Sequence, residues 1–515
     1  MSSSRIKNTV RNINAGLINQ IITIILPFIN RTAILWTLGA EFTGLASLFS
    51  SILNVLNIAE LGFNTAVVYS LYKPMAEHNE KKICEIVSLL KKIYSIIGII
   101  VLVIGLSLMP ALPFLIKGSY PSTINIYVLY LLYLINSAIS YHLFAYKECL
   151  LIADQRQDIA KNIRTIVNIV RYLLQLIILL ITNNFYAYLV VAILGTIATN
   201  LVIEVITRKK YPYYKRVDDK LKIPAEMKKE VNGLMINKIC DTFRNSFDSL
   251  IISSFIGLTA TTIYSNYYYI YSSLYGIMLV ICNAMSASVG NSIVQKTAAE
   301  NYNNMLTFSF AFSWILGIAT TCLGCLYQPF MTLWAGSDLL LPTFSMLMFC
   351  LYFYIININN IRNQYISGTG MWWKLKFSYI IEALANLLLN IILGKLLGIA
   401  GVILATILTI FFLNYLLRNK ILFANYFKSF DKREFYKEQI YYFILTLISF
   451  GSAYYVTSII NYSNIIINII GNGLISLIIS LIIMTLGLSF TKRYKDSKKF
   501  INQVKKNIQK ICKLI

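Results

Sequence analysis

Arg31, Arg171, Lys238 and Arg244 each stand inside an apolar stretch long enough to cross a membrane. A charge held at the bilayer centre costs on the order of 3 kcal/mol or more. A chain that keeps four such cations is expected to enclose a polar cavity, and that cavity is expected to take an anion. The chemistry this points to is the transport of something negatively charged.

Carboxylates accompany the cations. Lys238, Asp241, Arg244 and Asp248 follow one another at spacings of 3, 3 and 4 residues. At about 100° per residue they fall on one helical face within about 120°. Two readings stay open: a wetted wall of a substrate cavity, or a self-neutralising i,i+3/i+4 ladder with Lys238 snorkelling to the interface. Glu60 and Glu382 are further isolated carboxylates in apolar surroundings. Glu60, Asp241, Asp248 and Glu382 are candidates for charge pairing or for binding a coupling proton or sodium ion.

The elements that hold these groups follow from composition. The chain has 515 residues, is 57% hydrophobic and 13% charged, and its mean hydropathy is +0.64. That balance describes an all-α polytopic membrane protein. The net charge of +24 does not form a patch for nucleic acid; it is dealt out in connections between apolar spans, as a topology signal is. The eight cysteines are scattered apart from Cys322 and Cys325, a CxxC inside an apolar span with no second pair and no nearby His. The spacing fits helix packing better than metal or redox work. His78 and His142 form no cluster, and His142 is expected to pack with a hydrogen bond. No metal and no cofactor are expected.

Windows of about 20 apolar residues give fourteen spans, at approximately 13–37, 43–72, 93–116, 122–147, 162–182, 185–207, 231–256, 259–290, 305–331, 338–361, 374–396, 399–420, 437–460 and 464–490. Arg5, Lys7 and Arg11 precede an apolar stretch of about 24 residues. That is too long for a signal h-region, so the first span is expected to be retained. With the N-terminus inside, 40 of the 46 Lys and Arg fall in inner segments and two, Lys117 and Lys395, in outer loops. This places both termini in the cytoplasm. Residues 208–230 read as a cytoplasmic linker between an N-terminal bundle, 1–207, and a second bundle, 231–420. A further helix pair, 421–490, follows, and the tail, 491–515, reads as a basic amphipathic helix on an anionic inner leaflet.

The two halves echo one another. Gly16-Leu-Ile-Asn19 opens the first span and Gly233-Leu-Met-Ile-Asn237 the seventh. Arg31 precedes Gly39 as Asp248 precedes Gly257, and Arg171 precedes Thr196 as Glu382 precedes Thr406. Weak duplication of this kind is typical of secondary transporters. The charges at matching places are opposite in sign, so some of these groups are expected to pair in one state and separate in another. Pro27, Gly62, Gly276 and Gly290 supply candidate bends.

The chain resembles the polysaccharide transporter branch of the multidrug/oligosaccharidyl-lipid/polysaccharide exporter superfamily, the O-antigen and capsule flippases. The likeness rests on Ala59-Glu-Leu-Gly-Phe-Asn-Thr-Ala66 with Tyr69-Ser-Leu-Tyr-Lys73, and on Asp248-Ser-Leu-Ile-Ile-Ser-Ser-Phe-Ile-Gly-Leu258 with Tyr264-Ser-Asn266. It rests also on Glu382-Ala-Leu-Ala-Asn386 with Gly398-Ile-Ala-Gly-Val402 and Thr406. The resemblance implies two pseudo-symmetric six-helix bundles in a V, with two additional C-terminal helices, in the bacterial inner membrane. It implies movement of an undecaprenyl-diphosphate-linked oligosaccharide from the inner to the outer leaflet, among membrane lipids and beside a polysaccharide polymerase and assembly proteins. The residues agree, because Arg binds a diphosphate through bidentate hydrogen bonds. Tyrosines between Tyr264 and Tyr275 either stack on sugar faces or pack and anchor the helix.

Three other functions compete. A multidrug exporter of the same superfamily takes mostly cations, which an excess of intramembrane Arg and Lys opposes. A peptidoglycan lipid flippase shares the anionic headgroup. A membrane glycosyltransferase or polymerase needs paired acids or a metal at the external face, and the short outer loops offer only Glu41 and Asp338.

Overall fold

The computed structural model describes residues 2–57, 63–118, 120–214, 225–460, 464–491 and 493–494. Among these the chain is helical throughout its spans, with no strand. Seventeen α-helices follow in order: α1 (Ser2–Thr37), α2 (Ala40–Leu56), α3 (Phe63–Ala76), α4 (Glu80–Leu108), α5 (Ile126–His142), α6 (Glu148–Ala153), α7 (Gln157–Thr182), α8 (Phe185–Lys210), α9 (Ala225–Phe255), α10 (Leu258–Gln295), α11 (Ala298–Ala335), α12 (Thr343–Gly368), α13 (Lys376–Leu397), α14 (Ile399–Thr409), α15 (Leu417–Asn425), α16 (Lys432–Ile459) and α17 (Ile465–Ser489). A π-helical turn, Ile410–Leu416, joins α14 to α15.

Each of the fourteen apolar windows overlaps helix among the described residues. Eleven helices among the described residues are long and apolar enough to cross a membrane, or twelve if α5 and the bent segment after it form one span. That bend of 46° follows Phe144, whose φ is 42°. Two expected spans differ from the pattern. The window 43–72 is divided between α2 and α3, and the residues between them lie outside the described set. The seventh window, in α9, carries Lys238, Asp241, Arg244 and Asp248, and these charges keep it from reading as an apolar span.

Sequence sets several helix starts directly. Asn125, Asn184 and Asn464 each accept two backbone N–H groups from the first turn of α5, α8 and α17, satisfying donors that lipid cannot. Matching corners recur between the halves. Gly39 (φ 96°) and Gly257 (φ 130°) each end a helix by donating to the carbonyl five residues back, Ile34 at 3.2 Å and Ile252 at 3.0 Å. Asn183 (φ 49°) closes α7 as Gly398 (φ 62°) closes α13. A left-handed conformation is required at each corner, and Gly and Asn are the residues that adopt it at least cost.

The chain divides into two compact units, residues 1–265 and 266–515. In the first, α1 packs on α7, α7 on α8, α4 on α5, α5 on α8 and α2 on α9. Its apolar core runs from Leu45, Leu48 and Phe49 to Val87, Leu90, Tyr130 and Leu150. Of the stretch 208–230, residues 208–210 extend α8 and Ala225 already begins α9. Between them Tyr211 donates to Asp154 at 2.8 Å and the Tyr213 carbonyl accepts from Cys84 Sγ at 3.5 Å. In the second unit α11 packs on α12, α16 and α17, and α13 on α14. Arg493, just beyond α17, donates to Glu434 at 2.9 Å and Glu438 at 3.0 Å. Burial works against its charge, yet the two carboxylates hold its pKa above the ordinary value. The expected amphipathic tail lies outside the described residues except at its first positions.

Candidate functional site

All four intramembrane cations belong to the first unit. Arg31, on α1, donates to Ser265 Oγ at 2.5 Å and to Ser47 Oγ at 3.4 Å, and the two hydroxyls lie 3.0 Å apart. The close approach that permits this comes from Gly44, where a Cβ would stand 2.4 Å from the Leu258 carbonyl oxygen.

Arg171, on α7, lies over the ring of Tyr172, 4.4 Å from its centroid. Its stem rests on α8, where a Cβ at Gly195 would meet Arg171 Cδ at 2.4 Å. Its Nε is buried with no hydrogen-bond partner. Helices α1 and α7 run parallel. Asn19 donates to Thr165 Oγ1 at 2.9 Å and, further along both helices, Asn30 donates to the Tyr172 carbonyl at 3.2 Å. That second bond ties α1 to α7 at the residues next to Arg31 and Arg171, from which Arg31 reaches Ser47 and Ser265 and Arg171 lies against α8.

Among the four charged residues of α9 singled out in the sequence, burial deepens with residue number. Lys238 is exposed, Asp241 is partly buried, and Arg244 and Asp248 are 7% and 1% exposed. Arg244 pairs with Asp241 at 3.2 Å, as the i,i+3 ladder requires, and Asp248 accepts from the Tyr264 hydroxyl at 2.7 Å. Glu60 lies outside the described residues.

Glu382, in the second unit, is 2% exposed and pairs with Arg418 of α15. Asn414, in the π turn, also donates to it at 3.3 Å. Arg418 lies 4.0 Å from the Tyr379 ring centroid. Arg362 of α12 completes the cluster, donating 2.6 Å bonds to both the carbonyl and the side-chain oxygen of Asn414. Arg362 and Arg418 were missed as intramembrane cations because their positions at the ends of apolar windows place them among inner-loop charges. They are 2% and 4% exposed, inside helices. The polar run Asn357, Asn359, Asn360 immediately before Arg362 was the available signal, since all three are buried.

The tyrosine run divides. Tyr267 and Tyr271 are buried against Tyr327, Phe349 and Tyr352, with Tyr271 stacked on Tyr352 at 4.4 Å. These pack. Tyr268, Tyr269 and Tyr275 remain partly exposed. His142 packs against Gly98 and lies 3.2 Å from the Ala138 carbonyl. No group of three metal-ligating side chains occurs among the described residues.

Solved structures share this all-α polytopic architecture. The lipid II flippase MurJ in an inward closed conformation superposes with a TM-score of 0.68 at 17% identity, covering 93% of this chain and 98% of that one. An inward-facing multidrug resistance MATE family transporter of the MOP superfamily gives 0.58 at 13% identity, covering 81% and 99%. A MOP superfamily transporter from Pyrococcus furiosus, described by the reverse polarity of its binding pocket, gives 0.52 at 13%, covering 81% and 96%. No curated protein matches the chain. The family model "Polysaccharide biosynthesis protein" matches residues 9–287, more than half of the 515. The chain belongs to that family, and its all-α multi-pass fold is the one these solved flippase and transporter structures share.

Proposed function

We propose that this chain flips an undecaprenyl-diphosphate-linked oligosaccharide, a repeat unit of O-antigen, capsule or exopolysaccharide, from the inner to the outer leaflet of the bacterial inner membrane by alternating access. The observation that carries the reading is the buried, unpartnered Nε of Arg171 on α7, the helix paired with the α1 that carries Arg31. A buried donor without an acceptor is costly, and a phosphate oxygen supplies one. The serine hydroxyls that meet Arg31 are partners of the kind a phosphate oxygen replaces. On α9 of the same unit stand the exposed Lys238 and the buried Arg244, the latter paired with Asp241. All four cations fall within the segment matched by the family model.

The proposal includes both termini in the cytoplasm, bundles at 1–207 and 231–420, and work alongside a polysaccharide polymerase and assembly proteins. It includes coupling to a proton or sodium ion at a carboxylate. Asp241, Asp248 and Glu382 are the candidates among the described residues, and each is engaged in this state, Asp241 by Arg244, Asp248 by Tyr264 and Glu382 by Arg418 and Asn414.

A second reading, peptidoglycan lipid flippase, is favoured by the likeness to MurJ along 93% of the chain. It keeps the same headgroup chemistry. Proteoliposomes loaded with labelled undecaprenyl-diphosphate oligosaccharides test both. Flipping lost in Arg171→Ala supports the assignment, and the preferred lipid separates the two readings. Efflux of small cations with no lipid flipping would overturn both.

A further inference from the structure

The second unit carries an apolar groove of about 450 Å³, walled by α12, the π turn and α16. Tyr354, Ile358, Phe411, Tyr415, Gln439 and Ile440 line it. Ile440, Ile444, Leu447 and Ile448 are exposed at helical spacing, so the α16 side of the groove continues into a lipid-facing stripe. Within the bilayer such a groove is filled by hydrocarbon.

One lining group is out of keeping with hydrocarbon. Gln439 is 6% exposed, and its Nε2 has no hydrogen-bond partner. It requires an acceptor that arrives together with the apolar chain. A polyprenyl tail has none along its length; the ester carbonyl of a phospholipid lies at the head of its acyl chain. Charge gives the orientation. Arg433 and Lys437 are exposed one turn before Tyr436 and Ile440, about 9 and 3 Å along the axis from Gln439. The acids of the same turns are engaged, Glu434 and Glu438 by Arg493 and Asp431 by the N-terminus of α16.

We propose that this groove is a binding site for an anionic phospholipid, with one acyl chain in the groove, its ester carbonyl on Gln439 Nε2 and its phosphate at Arg433 and Lys437. The site is separate from the cations of the first unit and does not depend on what the protein transports. Occupancy bears on the buried cluster as well, because Tyr415 lines the groove while its carbonyl accepts from Arg362 at 3.5 Å.

Native mass spectrometry of the full chain, titrated with dioleoyl phosphatidylglycerol and with dioleoyl phosphatidylcholine, tests the site. The wild type is expected to retain one phosphatidylglycerol in preference to phosphatidylcholine. Ile358→Trp, which fills the groove, should lower occupancy at least tenfold, and the near-isosteric Gln439→Leu several-fold. Arg433→Gln with Lys437→Gln should abolish the headgroup preference, and Leu474→Trp, on the exposed face of α17, should change nothing. Undiminished occupancy in Gln439→Leu overturns the proposal, even where Ile358→Trp does not fold. So does an equal loss in Leu474→Trp, or retention of a polyprenyl lipid or a second protein copy in place of the phospholipid.

Discussion

Asn30 Nδ2 donates to the backbone carbonyl of Tyr172 at 3.2 Å, and this bond joins α1 to α7 next to Arg31 on one helix and Arg171 on the other. If the pair binds phosphate, each guanidinium contributes one or more charge-assisted bonds of about 1.5–3 kcal/mol. Arg31→Ala and Arg171→Ala should each reduce flipping about tenfold or more in proteoliposomes containing equal amounts of inserted protein. The Lys variants should fall between, keeping the charge and losing the fork. Full rates in both Ala variants would sink the assignment.

Gly195 offers a test that leaves the charge in place. A Cβ there would collide with the Arg171 stem at 2.4 Å, and the side chain must swing to accommodate it. Gly195→Ala should therefore slow flipping as Arg171→Ala does, while the melting temperature in detergent falls by only a few degrees. Unchanged flipping would show that the position of the Arg171 stem does not matter to transport.

The Glu382 cluster predicts an order of stabilities. Arg418→Met leaves Glu382 facing Asn414 and the charge of Arg362, so the buried set is neutral overall. Glu382→Gln leaves two buried guanidiniums with no carboxylate. Breaking a buried pair costs about 3–5 kcal/mol, and the glutamine variant should lie at or beyond the upper end. Thermal unfolding in detergent should rank wild type above Arg418→Met above Glu382→Gln; the reverse order of the two variants would show that Arg362 does not share the carboxylate.

Asp248 takes its hydrogen bond from Tyr264 at 2.7 Å. Tyr264→Phe removes that donor and should cost about 1–3 kcal/mol of stability. If Asp248 also carries the coupling ion, Asp248→Asn should abolish the dependence of flipping on an imposed proton or sodium gradient. A gradient response surviving in Asp248→Asn moves coupling to another carboxylate.

Much of the fold was legible because bilayer thickness imposes span length. That signal is summed over many residues, and each of the fourteen windows overlaps helix among the described residues. Candidate charges stood out in sequence where they stood alone or at helical spacing. Arg31 and Arg171 are surrounded by apolar sequence and Arg244 belongs to a spaced run of charges, while Arg362 and Arg418 border stretches whose Lys residues disguise their depth. The partners of each charge were not legible, since Ser265 meets Arg31 from 234 residues away and nothing local to either residue announces it. Hydropathy also underrated α9, where charges that neutralise one another still count as polar.

The cluster of Arg362, Glu382, Arg418 and Asn414 has a consequence for biosynthesis. These residues arrive at the membrane on three successive stretches, α12, α13 and the segment from the π turn into α15. Arg362 emerges first, without a counter-charge, and a lone guanidinium in lipid costs on the order of 3 kcal/mol. Release of α12 into the bilayer ahead of α13 is thus disfavoured, and the stretch from Thr343 to Asn425 is best delivered from the insertion machinery as one parcel. Truncation of nascent chains between α12 and α13 should leave α12 retained at the translocon, and extension past Arg418 should let it go.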